Sequence, residues 1–356
     1  MAKKKTSKGA SPKWKRIILV TCGVMLVIGG FLAYIFYTDF LQSNTNPNIK
    51  RDVYIFIKTG NTLVDVEKML KEKDILLSVT TFDFAAGVMN YANNIHPGRY
   101  LLRPHANNKN LIKLLKSGVQ VPYKLSFTGI HNKYDLAGKL SQQIEADSLS
   151  IIHIIQSDSF RTKYNLDIDD VLTFFIPDTT QYLFTTNTNE IMNSFTKNYN
   201  AFWNDENIHK AKAIGLSKPQ VSILASIVER ETYRDAEKPL IAGLYMNRLK
   251  KKNMKLEADP TVIYALGDFT KQRVYNADLE VNSPYNTYKY EGLPPGPICI
   301  PSLSSLNSVL NYAHHDYLYM CAKEDFSGYH NFAKTLAEHH QNSKRYTAEL
   351  KRRNIH

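Results

Sequence analysis

The sequence predicts an α+β protein with a single N-terminal transmembrane helix, a small β-α-α-β-α domain and a larger mixed α/β region. Three observations carry this. Ile17 to Tyr37 is a run of 21 residues without a charge. Between 52 and 120, short apolar runs and helical periods follow one another as strand, helix, helix, strand, helix. Beyond 120, amphipathic helices dominate up to a loop rich in Pro, Gly, Asn and Tyr at Asn282 to Pro301.

The N-terminus comes first. Lys3, Lys4, Lys5, Lys8, Lys13, Lys15 and Arg16 supply seven of the twelve net positive charges before the first acid, leaving only +5 over the remaining 340 residues. A nucleic-acid partner needs a basic stripe on the folded part, so none is expected. The 21 uncharged residues would extend about 31 Å as a helix, enough to span a bilayer core. A cleaved signal peptide has a shorter apolar run and a small-residue exit, both missing here. Lys and Arg before the span and Asp39 after it place the N-terminus in the cytoplasm and the rest outside. Residues 1–16 are therefore a cytoplasmic basic tail, 17–37 the transmembrane helix, and 38–51, polar and Asn-rich, a linker.

Residues 52–120 form the small domain. Val53 to Ile57 is a strand. Gly60-Asn61 turns, and Thr62 caps a helix with Leu63, Val66, Met69 and Leu70 on one side. Val79 to Asn90 is a second helix, Arg99 to Leu102 a strand after Pro97-Gly98, and Asn108 to Leu115 a third helix. This pattern resembles the LysM-like module attached to several cell-wall enzymes. Next come an expected strand at Val119 to Phe127 and helices near Lys133 to Glu145, Asp147 to Ser157 and Ile168 to Phe175. A further helix, Ile191 to Trp203, carries Phe195, Tyr199 and Trp203 four residues apart.

The helix from Ser217 is the most informative element. Ser217 and Gln220 make a capping box, and Pro219 sits in the first turn. Val221, Ile223, Leu224, Ile227 and Val228 share a face, and Glu231 falls within that apolar stripe. Glu229 points to the opposite side with Ser222, Ala225 and Ser226. A carboxyl on a buried face loses solvation and holds its proton to higher pH, as a general acid working near neutrality requires. The plainer alternative is a structural acid paired with Arg248 or Arg230. Glu229, the second-choice acid, reads as solvated or salt-bridged. Asp235 and Asp259 both read as helix caps, Asp259 with Pro260 in the first helical position. The loop Asn282 to Pro301 presents tyrosine faces and hydroxyls suited to sugar rings.

Other chemistries find no support. The sequence has no CxxC pair, HExxH helix, GxSxG elbow or phosphate-cradling glycine loop, and neither His pair has metal-ligand spacing, so no metal or cofactor is expected. Of three cysteines, Cys22 lies in the span. Nothing in the spacing requires Cys299 and Cys321 to be joined.

The motifs ASIVERET, LYMNRL, LEADPTVIYAL, SPYNTYKYEGLPPGPI and YHNF, in that order over roughly Ser222 to Phe332, resemble the endolytic murein transglycosylases of the MltG (YceG-like) family. The resemblance implies a catalytic region with an accessory part at 121–213 and a core at 214–350. It implies a carbon–oxygen lyase that cleaves peptidoglycan glycan strands internally at the outer (periplasmic) face of the cytoplasmic membrane, in association with synthases of the elongation or division machinery. It assigns the catalytic acid to Glu231. Asp259, Thr261, Tyr285, Asn286, Tyr288, His330 and Asn331 are candidate substrate-binding or orienting residues. The chain departs from the family pattern twice. Leu172 and Thr173 stand where Glu-Gly usually precedes the Pro-Asp-Thr segment (here Pro177-Asp178-Thr179), and Glu257 replaces a Gln two positions before Asp259. Two competing functions are a hydrolytic muramidase using Glu231 with Asp259 or Glu257, and a non-catalytic, membrane-tethered glycan-binding scaffold.

Overall fold

A computed structural model describes residues 12–353 of the chain. These divide into two units, one comprising residues up to 122 with Leu183–Thr185, the other Tyr123–Tyr182 and the residues from Thr186 onward. The expected basic tail lies mostly outside the described residues.

In the first unit, helix α1 (Pro12–Phe36) carries the uncharged run, exposed along its length. With the π-helical turn that follows, Tyr37–Leu41, it makes the one span long and apolar enough to cross a membrane among the described residues. The segment expected to be a linker is instead ordered. Phe40 is buried, stacks on Phe36 and meets Phe84 edge-on. The Asn44 amide is buried and donates to Asn108 Oδ1 (2.8 Å) and the Ser78 carbonyl (2.7 Å), while its oxygen accepts from Ser78 N–H (2.9 Å). A polar, Asn-rich sequence looks like a linker, but here the amides satisfy buried backbone groups.

Strand β1 (Val53–Ile57), helices α2 (Leu63–Glu72) and α3 (Val79–Val88), strand β2 (Gly98–Leu102) and helix α4 (Asn108–Lys116) follow. β1 and β2 pair antiparallel from Val53↔Leu102 to Ile57↔Gly98. Thr62 and Asp65 form a reciprocal capping box at α2. Ile55, Ile57, Leu70, Phe82, Tyr100 and Leu111 fill the small core. A two-stranded ribbon is marginal alone, and the three helices supply the apolar cover it lacks.

The second unit is mainly helical, with two short antiparallel ribbons. Its elements are β3 (Tyr123–Lys124), α5 (Lys133–Ser141), α6 (Ser148–Gln156), α7 (Asp158–Tyr164), β4 (Gln181–Tyr182), α8 (Thr188–Phe202), α9 (Asp205–Ala213), α10 (Lys218–Glu231), α11 (Lys238–Lys250), α12 (Asp259–Leu266), α13 (Leu303–Leu310), β5 (Tyr319–Ala322), β6 (His330–Ala333) and α14 (Leu336–Arg352). β3 pairs with β4, and β5 with β6. The strand expected over Val119 to Phe127 shrinks to two residues, since Pro122 has no N–H to give a ladder. The helix expected at Ile168 to Phe175 is a single 3-10 turn, Val171–Phe174.

Helix α10 is the spine of this unit. Every residue from Val221 to Val228 is buried, including Ser222, Ala225 and Ser226 on the face expected to be polar. That face is covered by the loop before α13. Ser226 Oγ accepts from Ile298 N–H (3.0 Å) and donates to the Ile223 carbonyl (2.7 Å). A helix buried all round places both of its terminal acids against protein, so the partners each meets, not their faces, set them apart.

Candidate active site

Glu231 is the last residue of α10, where unpaired carbonyls put the negative end of the helix dipole beside its carboxyl. It opens on a cavity of about 420 Å³ walled by α11, the start of α12, Tyr288, the β5–β6 ribbon and α14. Protein crowds it on all sides but one, and it stays partly accessible through the cleft. Burial pushes the carboxyl up to about 7, with Asp259 adding to the rise, while the Tyr245 hydroxyl, His330 and Arg248 pull the other way. The Tyr245 hydroxyl, on fully buried ground in α11, donates to Glu231 Oε1.

No arginine closes on Glu231. Arg248 spends its donors on the Leu318 carbonyl (2.6 Å), the Leu256 carbonyl (2.8 Å), the Lys255 carbonyl (3.2 Å) and Glu257 Oε2 (3.0 Å). Arg230 is exposed and lines a different cavity with Glu229. The alternative of a structural acid paired with either arginine is therefore not what the chain adopts.

Glu229 meets the opposite surroundings. Burial raises its proton affinity. The hydroxyls of Ser302 and Ser305, the Lys238 ammonium (3.2 Å) and Ser302 N–H (3.2 Å) outweigh that and hold the carboxyl below its ordinary value. Two acids two residues apart thus differ in proton affinity, one raised so that it titrates near neutral pH on a cleft and the other held as an anion in a hydrogen-bonded cradle.

Asp259 does not cap α12 as expected. The N-cap is Ala258, and Asp259 Oδ1 accepts from the Tyr288 hydroxyl (2.6 Å) at the cleft wall. Asp235 does not cap α11 either. It pairs with Lys238 (2.9 Å) and accepts from Ser304 Oγ (2.8 Å). His330, in β6, reaches the cleft from the other side. Its Nδ1 bonds to Glu237 Oε2 (2.8 Å), and its backbone N–H donates to Glu237 Oε1 (2.7 Å). The ribbon carrying His330 is pinned to the turn after α10, with Arg234 Nη2 donating to the Ser327 carbonyl (2.7 Å) and the Tyr233 hydroxyl packed against Gly328. Gly328 has φ +78°, so a side chain there meets both backbone strain and Tyr233.

A model described as the YceG-like family matches residues 55–345, most of the chain. The chain belongs to the YceG-like family. It is 30% identical over 344 residues to a Bacillus subtilis (strain 168) protein named endolytic murein transglycosylase, covering 90% of this chain and 91% of that one. A Streptococcus pneumoniae (strain D39) protein of the same name is 25% identical over 334 residues, 84% of this chain but 59% of the longer relative. Among solved structures, a YceG-like protein from Listeria monocytogenes superposes with a TM-score of 0.55 at 28% identity, covering 82% of this chain and 99% of that one.

In this YceG-like chain, five residues singled out from the sequence, Glu231, Glu257, Asp259, Tyr288 and His330, share the cleft. Glu229 and four others do not line it. Thr261 is buried, its hydroxyl bonded to the Ala258 carbonyl (2.7 Å) and paired with Thr287 (2.8 Å). Tyr285 packs on Tyr264, ring centroids 4.6 Å apart. Asn286 is buried and ties the loop by donating to the carbonyls of Leu279 (2.8 Å) and Val281 (2.9 Å). Asn331 alternates away from His330 along β6 and donates to Glu324 (2.6 Å). Sequence reasoning missed Tyr245, Arg248 as a cleft wall, Tyr319 and the α14 histidines His339 and His340, and also Glu237, which lies behind His330. Tyr245 had a signal: it lies in the buried stretch of α11, and a buried phenol needs a partner. Cys299 and Cys321 are both free thiols.

Proposed function

We propose that this chain is a membrane-anchored endolytic murein transglycosylase that cleaves MurNAc–GlcNAc bonds within glycan strands and leaves 1,6-anhydro-MurNAc ends. The observation that carries the reading is the Glu231 carboxyl, its pKa raised to about 7 at the wall of an open cleft, with no Lys or Arg ion pair to it among the described residues. Glu231 protonates the glycosidic oxygen as the bond from C1 breaks. The resulting carboxylate takes the proton from the same sugar's C6 hydroxyl, whose oxygen closes on C1, and the acid is restored. The nucleophile is tethered to the reacting carbon, so the entropic cost of bringing it in is already met and no water has to be placed.

A hydrolase needs a second free carboxylate as base or nucleophile. The two other acids of the cleft are engaged, Asp259 with the Tyr288 hydroxyl and Glu257 with Arg248, which favours the lytic route. Asp259, Tyr288 and His330 are the residues placed to orient the sugar or stabilise charge around C1.

The apolar span of α1 anchors the chain with its N-terminus in the cytoplasm and the second unit on the outer side, beside newly made strands and the synthases that extend them. The first unit, with its β-α-α-β-α order, is read as a LysM-like module. Residues 121–213 are read as an accessory part and 214–350 as the catalytic core. Mass spectrometry of digested, purified glycan tests the chemistry. Lytic ends are one water lighter than hydrolytic ends, and a digest holding only reducing ends would overturn the proposal.

A further inference from the structure

Glu237 precedes α11 and is 3% exposed, and its carboxylate faces neither the cleft nor solvent. It binds two groups of His330, the backbone N–H and Nδ1, one on each oxygen. The hydroxyl of Thr232, the residue directly after Glu231, also favours its charged form. One buried anion therefore ties the start of α11 to β6 and fixes the rotation of the imidazole. With Nδ1 taken, Nε2 makes no hydrogen bond to protein among the described residues, and the ring lines the cleft with Glu231. Burial opposes a charge on the ring, but hydrogen bonding and proximity to Glu237, together with Glu231, raise its proton affinity overall.

We propose that Glu237 is a positioning residue that holds His330 as an imidazolium against Glu231, so that the carboxylate left by proton donation is stabilised until it recovers a proton from the sugar. This rests on Glu231 being the acid. No proton needs to leave His330: the imidazolium acts as a fixed charge while the proton moves from Glu231 to the leaving oxygen and returns from the C6 hydroxyl. The other groups facing Glu231 are Tyr245 and Arg248 of α11, Asp259 of α12 and Tyr288 of the loop beyond it. Those facing His330 are Glu237 and Glu231.

The test uses the full-length protein in detergent with Glu237→Gln, His330→Gln and the double variant. With Glu237→Gln, His330 is expected to give up its proton at lower pH. Glu231, having lost its cation, then keeps its proton to higher pH. The alkaline limb of kcat/KM moves up, while kcat falls about tenfold with KM little changed. Because Glu237 acts through His330, the double variant is no worse than His330→Gln alone. Histidine-labelled NMR, with His330 assigned by its loss in His330→Gln, follows the ring's titration directly. An unmoved His330 titration, or single-variant losses that multiply in the double variant, would overturn the proposal. The NMR arm reads the pair whether or not Glu231 is the acid, and Glu231→Gln, scored on its own, tests that reading separately.

Discussion

The Tyr245 hydroxyl, buried in α11, donates to the Glu231 carboxyl at the end of α10. Burial alone would make Glu231 too weak an acid to release its proton readily. The phenol, together with His330 and Arg248, favours the charged form and brings the carboxyl back to about 7, where it can both give and take a proton near neutral pH.

Removing that donor gives a signed prediction. In Tyr245→Phe the Glu231 carboxylate loses a charge-assisted hydrogen bond worth about 1.5 kcal/mol. The alkaline limb of the pH–rate profile should move to higher pH and kcat should fall about tenfold. A pH series of anhydro-end formation on purified glycan checks both.

Asp259 predicts the opposite shift. Its charge raises the proton affinity of Glu231, so Asp259→Asn should lower it and move the alkaline limb to lower pH. Since Ala258 and not Asp259 is the N-cap, the substitution should cost α12 little, and thermal unfolding should change far less than the pH profile.

Glu229 separates structure from chemistry. Glu229→Ala leaves the Lys238 ammonium, 4% exposed at its side chain, with only the exposed Asp235 as its ion-pair partner. Breaking a buried pair in this way should cost about 3 kcal/mol in denaturant unfolding, with activity per folded molecule retained. Because the folded Glu229 has a lowered pKa, its stabilisation is present above the ordinary carboxylate range and lost as pH falls through the depressed value. Glu229→Gln should therefore flatten the acid side of the stability curve.

Much of this was legible from local chemistry. The caps at Thr62 and Ser217 follow from side chains acting on nearby backbone, and strands β1 and β2 from short apolar runs bounded by turn residues. Glu231 was found for a partly different reason than the one the structure supplies. The helical wheel separated an apolar face from a polar one, yet α10 is buried on both. The two acids differ because Glu229 meets Lys238 and two serines from α11 and the start of α13 while Glu231 meets a phenol and a cleft. Those partners lie on other elements, 9 to 76 residues away, so no local period reports them. The same holds for Glu237 and His330, which are 93 residues apart. Asp259 misled because Asp-Pro is a good helix start, and only the fold reveals that Tyr288 claims its carboxylate. The 38–51 segment misled because asparagines suited to solvent also suit a buried amide network.

Glu231→Gln in the full-length protein, assayed on purified glycan strands, bears on the central claim most directly. Gln keeps the shape but has no proton to give, so 1,6-anhydro ends should fall by at least about 100-fold. The fold should survive. The folded state holds the Glu231 proton more tightly than the unfolded chain does, so wild-type stability declines as pH rises from the ordinary carboxylate value to about 7, and the non-titrating Gln is spared that loss. A folded Glu231→Gln protein that releases anhydro ends at the wild-type rate would contradict the account.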